Sequence, residues 1–231
     1  MKQSNVDRVY TQLRGLAANF EFKPDARINE SALSVQLGTS RTPLREAMNR
    51  LVAEGFLTFQ SGRGFFCRSL SPSKVLDLYE ARVAVEVEAV RLACARATDA
   101  ELHALITALE DDVSRSKSAD PESLLQQDEA FHIGVARLSQ NAEMVRMLEN
   151  LNERIRYIRL IYLKNRHQPA LIIPPAHRKV LDALLARDGE AAAQAMRAHI
   201  GRRREDAAEA VRIAYSQLYV PDMGDFNEGR Q

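Results

Sequence analysis

Apolar residues recur at three- and four-residue intervals along most of this 231-residue chain, and that spacing predicts helices. The first amphipathic helix is expected over 5–19. A second, 29-NESALSVQL-37, starts from an Asn29 cap and stops at Gly38, and a third, 40-SRTPLREAMNRLVAE-54, ends at Gly55. Between the first two, 24-PDARI-28 reads as a turn and a short extended piece. The period then changes. Aromatic and β-branched residues fill 56-FLTFQ-60 and 65-FFCRSL-70, and Ser61-Gly62-Arg63-Gly64 between them predicts a hairpin.

The stretch 69-SLSPS-73 is the expected linker, and beyond it only helical periodicity is seen. Helices are expected over 73–96, 99–117, 121–139, 142–166, 175–187 and 190–215. Thr98 with Glu101 forms a capping-box pattern, Asp120-Pro121 reads as a cap followed by proline at the first helical position, and Pro174-Pro175 opens another helix. The tail from 220 to 231 is expected to be disordered. The fold class is therefore mainly α. Residues 1–70 form three helices and a hairpin, the outline of a winged helix-turn-helix, and 73–219 form an all-helical bundle of about six helices.

Composition changes this picture little until it is split along the chain. A hydrophobic share of 45% with 27% charged residues suits a soluble globular protein, and no apolar run approaches the roughly 18 residues of a membrane span. The N-terminus lacks a charged-then-apolar signal layout, and Cys67 and Cys94 have no metal or redox spacing, so a cytoplasmic location is the default. The net charge of +1 is unevenly spread. Residues 1–70 hold ten Lys and Arg against six Asp and Glu, whereas all five histidines lie beyond residue 100. A basic head suits a polyanion.

Within 40-SRTPLREAMNRL-51, Leu44, Ala47, Met48 and Leu51 face the core by their spacing, which brings Arg41, Arg45 and Asn49 together on the other side. Arginines near a helix N-terminus reach base edges or phosphates in a major groove. The Ser40 and Thr42 hydroxyls and the local backbone amides suit phosphates, and Arg63, between two glycines at the hairpin tip, suits an adjacent minor groove. The run LGTSRTPLREAMNRLVAEGFLTFQSGRGFF resembles the DNA-binding head of GntR-type bacterial transcription regulators over residues 5–70. That resemblance implies operator contacts by Arg41, Thr42 and Arg45, with 61-SGRG-64 in the minor groove. Ser31 stands where many relatives carry an arginine.

In 124-LLQQDEAFHIGVARL-138, Asp128 and His132 share the apolar stripe of a helix. His177 begins a stripe continued by Val180, Leu181 and Leu184, and His199 continues one made by Ala192, Ala195 and Met196. His103 lies at the flank of such a stripe, and His167 in a polar helix end. A buried, unpaired carboxylate costs several kcal/mol, so Asp128 needs a cation or strong donors. An i, i+4 Asp/His pair is a platform for a divalent metal that His177 and His199 close, and this donor set suits Zn²⁺, Ni²⁺, Mn²⁺ or Fe²⁺. The plainer alternative makes each histidine a hydrogen-bonded core residue and pairs Asp128 with a nearby arginine.

The second half resembles the FCD ligand-binding domain of the same superfamily over residues 73–205, through Arg82 in 78-LYEARVAVE-86, Asp128 and His132 in DEAFH, His177 in PAHRKVLDAL and His199 in MRAHI. Pro175-Ala176 replaces the acidic residues usual before that histidine. The resemblance implies a bundle enclosing a divalent metal at which small organic acids bind as effectors. Arg82 then clamps an effector carboxylate, unless it forms a surface ion pair with Glu86 at i+4. Arg159 is a second candidate for the clamp. The expected protein is a regulator rather than an enzyme. It is read as a repressor that acts as a homodimer on a pseudo-palindromic operator and answers to an organic acid. The rivals are a metal-dependent hydrolase with a DNA-binding head, disfavoured because Glu129 points away from the stripe, and a direct metal sensor.

Overall fold

The computed structural model describes residues 4–115, 120–165 and 173–219. The chain divides into two compact units, one holding the residues up to Ser71 together with those from Val211 onward, the other Pro72–Ala210. The expected disordered tail and His167 lie outside the described residues.

The first unit is built from α1 (Asn5–Ala18), α2 (Glu30–Gln36), α3 (Arg41–Ala53) and a two-stranded antiparallel sheet of β1 (Leu57–Gln60) and β2 (Gly64–Cys67). Ser4 caps α1 by accepting from the Asp7 amide, and Asn29 caps α2 by accepting from the Ser31 and Ala32 amides. Val9, Leu13 and Ala17 of α1 and Leu44, Ala47, Met48 and Leu51 of α3 form one core with Leu33, Phe56, Leu57 and Phe65. That burial fixes which face α3 leaves in solvent. The wing register pairs Leu57 with Cys67 and Gln60 with Gly64. Residues 26–28 run alongside, the Ile28 amide donating to the Phe65 carbonyl (2.8 Å) and the Cys67 amide to that of Ala26 (3.0 Å). The expected strand over 65–70 ends early at Cys67. Arg68 is instead buried, with its guanidinium over the rings of Phe20 (4.5 Å) and Phe56 (5.0 Å).

The second unit begins with α4 (Pro72–Arg96), α5 (Asp99–Arg115), α6 (Pro121–Leu138), α7 (Ala142–Asn165) and α8 (Pro175–Leu185), followed by α9 (Gly189–Tyr219). The expected boundary put the whole of α9 in the second domain; from Val211 its residues group with the first unit, where the Tyr219 hydroxyl donates to the Pro24 carbonyl (3.1 Å). The capping box forms, the Thr98 amide donating to Glu101 (2.8 Å) and the Glu101 amide to the Thr98 hydroxyl (3.2 Å). Asp120 caps α6 ahead of Pro121 by accepting from the Ser123 amide (3.0 Å). Helix α4 packs against α6, α7 and α8, and α6 packs against α7. The inner face of α4 is therefore the floor of the bundle. No described helix is long and apolar enough to cross a membrane.

The turn between α2 and α3 depends on Gly38, whose φ of +57° lies in the left-handed region. A Cβ there would meet nothing within 4 Å, so a side chain is opposed by backbone conformation alone. Gly38→Ala is expected to lower stability by about 1–2 kcal/mol in denaturant unfolding, and an unchanged midpoint would refute that account of the turn.

Candidate functional site

On the head, Arg41, Thr42, Arg45 and Asn49 are exposed on α3, opposite the buried Leu44, Ala47, Met48 and Leu51. Ser40 is the N-cap of α3 but makes no side-chain capping bond. Arg41 donates to the Ser31 hydroxyl (3.3 Å), and Arg45 pairs with Glu30 (3.2 Å) while its guanidinium lies over the Phe65 ring (5.5 Å). Arg63 is exposed at the wing tip over the Phe66 ring (5.3 Å). Exposed contacts of this kind are worth at most about 1 kcal/mol, so a polyanion displaces them at little cost. Ser31 thus accepts from an arginine of the next helix.

In the bundle, Asp128, His132, His177 and His199 come together with their ligand atoms all within 4.8 Å of one another. Helix α6 supplies the first two, α8 the third and α9 the fourth. The Nε2 atoms of His132 and His199 are 3.1 Å apart, and those of His177 and His199 are 3.3 Å apart. The Asp128 carboxylate completes the group, with Oδ1 3.3 Å from His177 Nε2 and Oδ2 3.4 Å from His132 Nε2. Phe131 stacks on the His177 ring at 3.8 Å and fixes its plane. His103 stays outside, exposed, with Nδ1 donating to the Asp99 carbonyl (2.7 Å).

The plainer alternative is also present, because Arg159 of α7 donates to Asp128. Arg159, expected as a clamp for an effector, is thus engaged with a cluster residue. Asp128 has an arginine and still lies among three imidazoles. Burial raises its carboxyl pKa, but Arg159, His132 and His177 outweigh this and hold it well below the usual range. Burial and the Arg82 charge push His132 down to about 4, against the opposing pull of Glu86 and Asp128, so its imidazole is neutral at neutral pH. An ionised carboxylate and imidazole nitrogens facing a common point are the donors a divalent metal requires. The residues fit such an ion, and Asp128, His132, His177 and His199 would be the ones to hold it.

Sequence reasoning missed the role of Glu86. Arg82 and Glu86 do form their i+4 ion pair, but each is only 2% exposed, so the pair lies in the core and not on the surface. Glu86 accepts from Arg82 Nε through Oε1 and from His132 Nδ1 through Oε2. Burial opposes its ionisation, but Arg82 and His132 prevail and hold its pKa at about 2. The available signal was the stripe of Val75, Tyr79, Arg82, Glu86, Ala89 and Ala93, which puts both charges on the apolar face of α4. Asn152 of α7 was also overlooked. It is buried, and neither amide atom has a hydrogen-bond partner among the described residues.

These shifts give the metal-free protein a defined acid lability. A histidine lowered from 6.5 to about 4 on folding takes up its proton more readily when unfolded, so acidification between those values removes stability. Glu86 and Asp128 add further loss below the ordinary carboxylate range. The melting temperature of the metal-free chain should fall from pH 7 towards pH 4.5, and less steeply in His132→Gln. Identical slopes would contradict the assignment.

Comparison with known proteins matches each half of the chain to a family. Residues 5–67 match the family described as bacterial regulatory proteins, gntR family, and residues 77–202 match the FCD domain. The chain is 40% identical to the Nta operon transcriptional regulator of Aminobacter aminovorans over 89% of this chain and 95% of that one. It is 29% identical to the HTH-type transcriptional repressor GlaR of Escherichia coli, over 83% and 90%. The solved structure of E. coli McbR/YncC superimposes with a TM-score of 0.68 at 25% identity, covering 90% of this chain and 98% of the other. An exposed arginine face on a winged helix-turn-helix, joined to a helical FCD domain, identifies this chain as a member of the GntR family of DNA-binding transcription regulators.

Proposed function

We propose that this regulator is a homodimeric repressor whose operator affinity is set by a small organic acid bound beside a divalent metal in the FCD domain. The observation that carries this reading is Arg82. Its Nη2 is buried and has no hydrogen-bond partner among the described residues, although its Nε is held by Glu86. An unsatisfied buried guanidinium nitrogen is costly, and a carboxylate ligand would relieve it. The Asp128 charge also acts on Arg82, so this donor belongs to the same electrostatic site as the cluster. A bound metal would supply a Lewis-acidic centre for a second carboxylate oxygen of the effector.

Arg159 has a conditional role in this scheme. It pairs with Asp128, and a divalent ion on that carboxylate would free its guanidinium for the effector. On the head, Arg41, Thr42, Arg45 and Asn49 would read or anchor the major groove from α3, Ser40 would take a phosphate, and Arg63 would enter the minor groove. Two heads on a pseudo-palindromic site require a dimer. The repressor sense follows the description of the relative GlaR. An effector shifts DNA affinity only by binding the two conformations differently.

Thermal-shift measurements with Ni²⁺ alone, a panel of organic acids alone, and both together test the proposal. The largest rise is expected with both, about 2.7 kcal/mol of stabilisation at a hundredfold excess over Kd. Arg82→Gln should lose the acid-dependent part and keep the metal-dependent part. A full response to Ni²⁺ alone would instead favour a metal sensor, and consumption of the acid would favour a hydrolase. In a separate operator-binding assay, Arg45→Ala should cost about 1–3 kcal/mol without unfolding the chain. Unchanged affinity would remove α3 from the interface.

A further inference from the structure

Asp128, His132, His177 and His199 account for the donors around a common point, but not for what holds each donor in register. His199 lies against His132 and His177, and His177 is fixed by its stacking on Phe131. His132 is held differently. Its far nitrogen, Nδ1, donates to Glu86, a fully buried carboxylate from α4, a helix that contributes none of the four donors. A proton on Nδ1 leaves the Nε2 lone pair free and aimed at the cluster.

Glu86 is costly to bury and is not needed for packing alone. A buried ion pair of Arg82 and Glu86 is at best weakly stabilising compared with apolar residues of similar volume. The geometry gives the pair a third member. One oxygen of Glu86 faces Arg82 and the other faces His132, so a single carboxylate orients both an arginine with a spare donor and an imidazole of the cluster. An amide of the same shape cannot serve both, because its NH2 group would meet an N–H donor on one side or the other.

We infer that Glu86 is a positioning residue for the cluster: by accepting from His132 Nδ1 and Arg82 Nε together, it fixes the ring and tautomer of His132 for metal binding and ties that imidazole to Arg82. The inference rests on the proposal that the cluster holds a divalent ion. It adds that the affinity for that ion depends on a residue that never touches it.

Titration of Ni²⁺ into the metal-stripped full chain tests this, with the unchanged protein, Glu86→Gln and Glu86→Asp compared by calorimetry. The unchanged chain should take up one ion. Glu86→Gln should keep that stoichiometry and bind roughly 10–100-fold more weakly, and Glu86→Asp, which keeps the charge but shortens the reach, should fall between. In Co²⁺-loaded protein, the paramagnetically shifted Nδ1–H resonance of His132, assigned by its absence in His132→Gln, should be sharp in the unchanged chain. It should be lost to solvent exchange in Glu86→Gln. Equal Ni²⁺ affinity in the unchanged and Glu86→Gln chains would overturn the inference while leaving the metal site intact. No uptake by the unchanged chain would overturn the metal site itself and this inference with it. If Glu86→Gln does not fold, Glu86→Asp decides alone, and an undiminished affinity there overturns the inference.

Discussion

Charge buried in the core of the helical domain is the constraint on which the rest of this structure depends. Two carboxylates are drawn out of water here, Glu86 fully and Asp128 largely, and each must be compensated locally because desolvation of an ion costs several kcal/mol. Arg82 answers Glu86 and Arg159 answers Asp128. The compensation is incomplete on the arginine side, where nitrogens of both guanidiniums lie buried without a hydrogen bond. A core that only had to be stable would be expected to use apolar residues here, as Leu148 and Ala136 do further along the same helices. Retained charges of both signs beside three imidazoles, with arginine nitrogens left unsatisfied, are the pattern expected of a binding site.

The same residues explain why the helices have their places. His132, His177 and His199 converge only if α6, α8 and α9 meet, and Glu86 converges with them only if α4 crosses beneath. Stacking of Phe131 on His177 and the hydrogen bond from His132 to Glu86 set ring planes that spacing along one helix cannot set. In the head, by contrast, the residues proposed to meet DNA lie on the outside. The core of α1 and α3 turns Arg41, Arg45 and Asn49 outward, and the polar contacts of Arg41 with Ser31 and of Arg45 with Glu30 are exposed and exchangeable.

Much of this was legible in the sequence because it is local. Helical spacing, the Thr98–Glu101 box, the Asp120-Pro121 start and the Gly38 turn are all encoded within a few residues of where they act, and the wing is marked by its aromatic residues and the glycines of its turn. The four residues singled out by lying on apolar stripes are the four that the fold brings together. Less legible were features that depend on which helix faces which. The apolar stripe of α4 could place Arg82 and Glu86 in the core, but it could not name the partner, so the pairing of Glu86 with His132, 46 residues away, had no local sign. The engagement of Arg159 with Asp128 and the burial of Asn152 are equally products of helix packing. The burial of Arg68 over the rings of Phe20 and Phe56, just past the end of β2, is likewise a product of packing.

The central claim is that three imidazoles and one carboxylate in the bundle core form a single metal-binding site. X-ray absorption spectroscopy at the zinc edge, on the full chain reconstituted with one equivalent of Zn²⁺ and dialysed, tests it most directly. The account predicts retained zinc with only nitrogen and oxygen neighbours and the outer-shell scattering of several imidazoles. Loss of the zinc on dialysis, a sulfur neighbour from Cys67 or Cys94, or the signature of no more than one imidazole would contradict it.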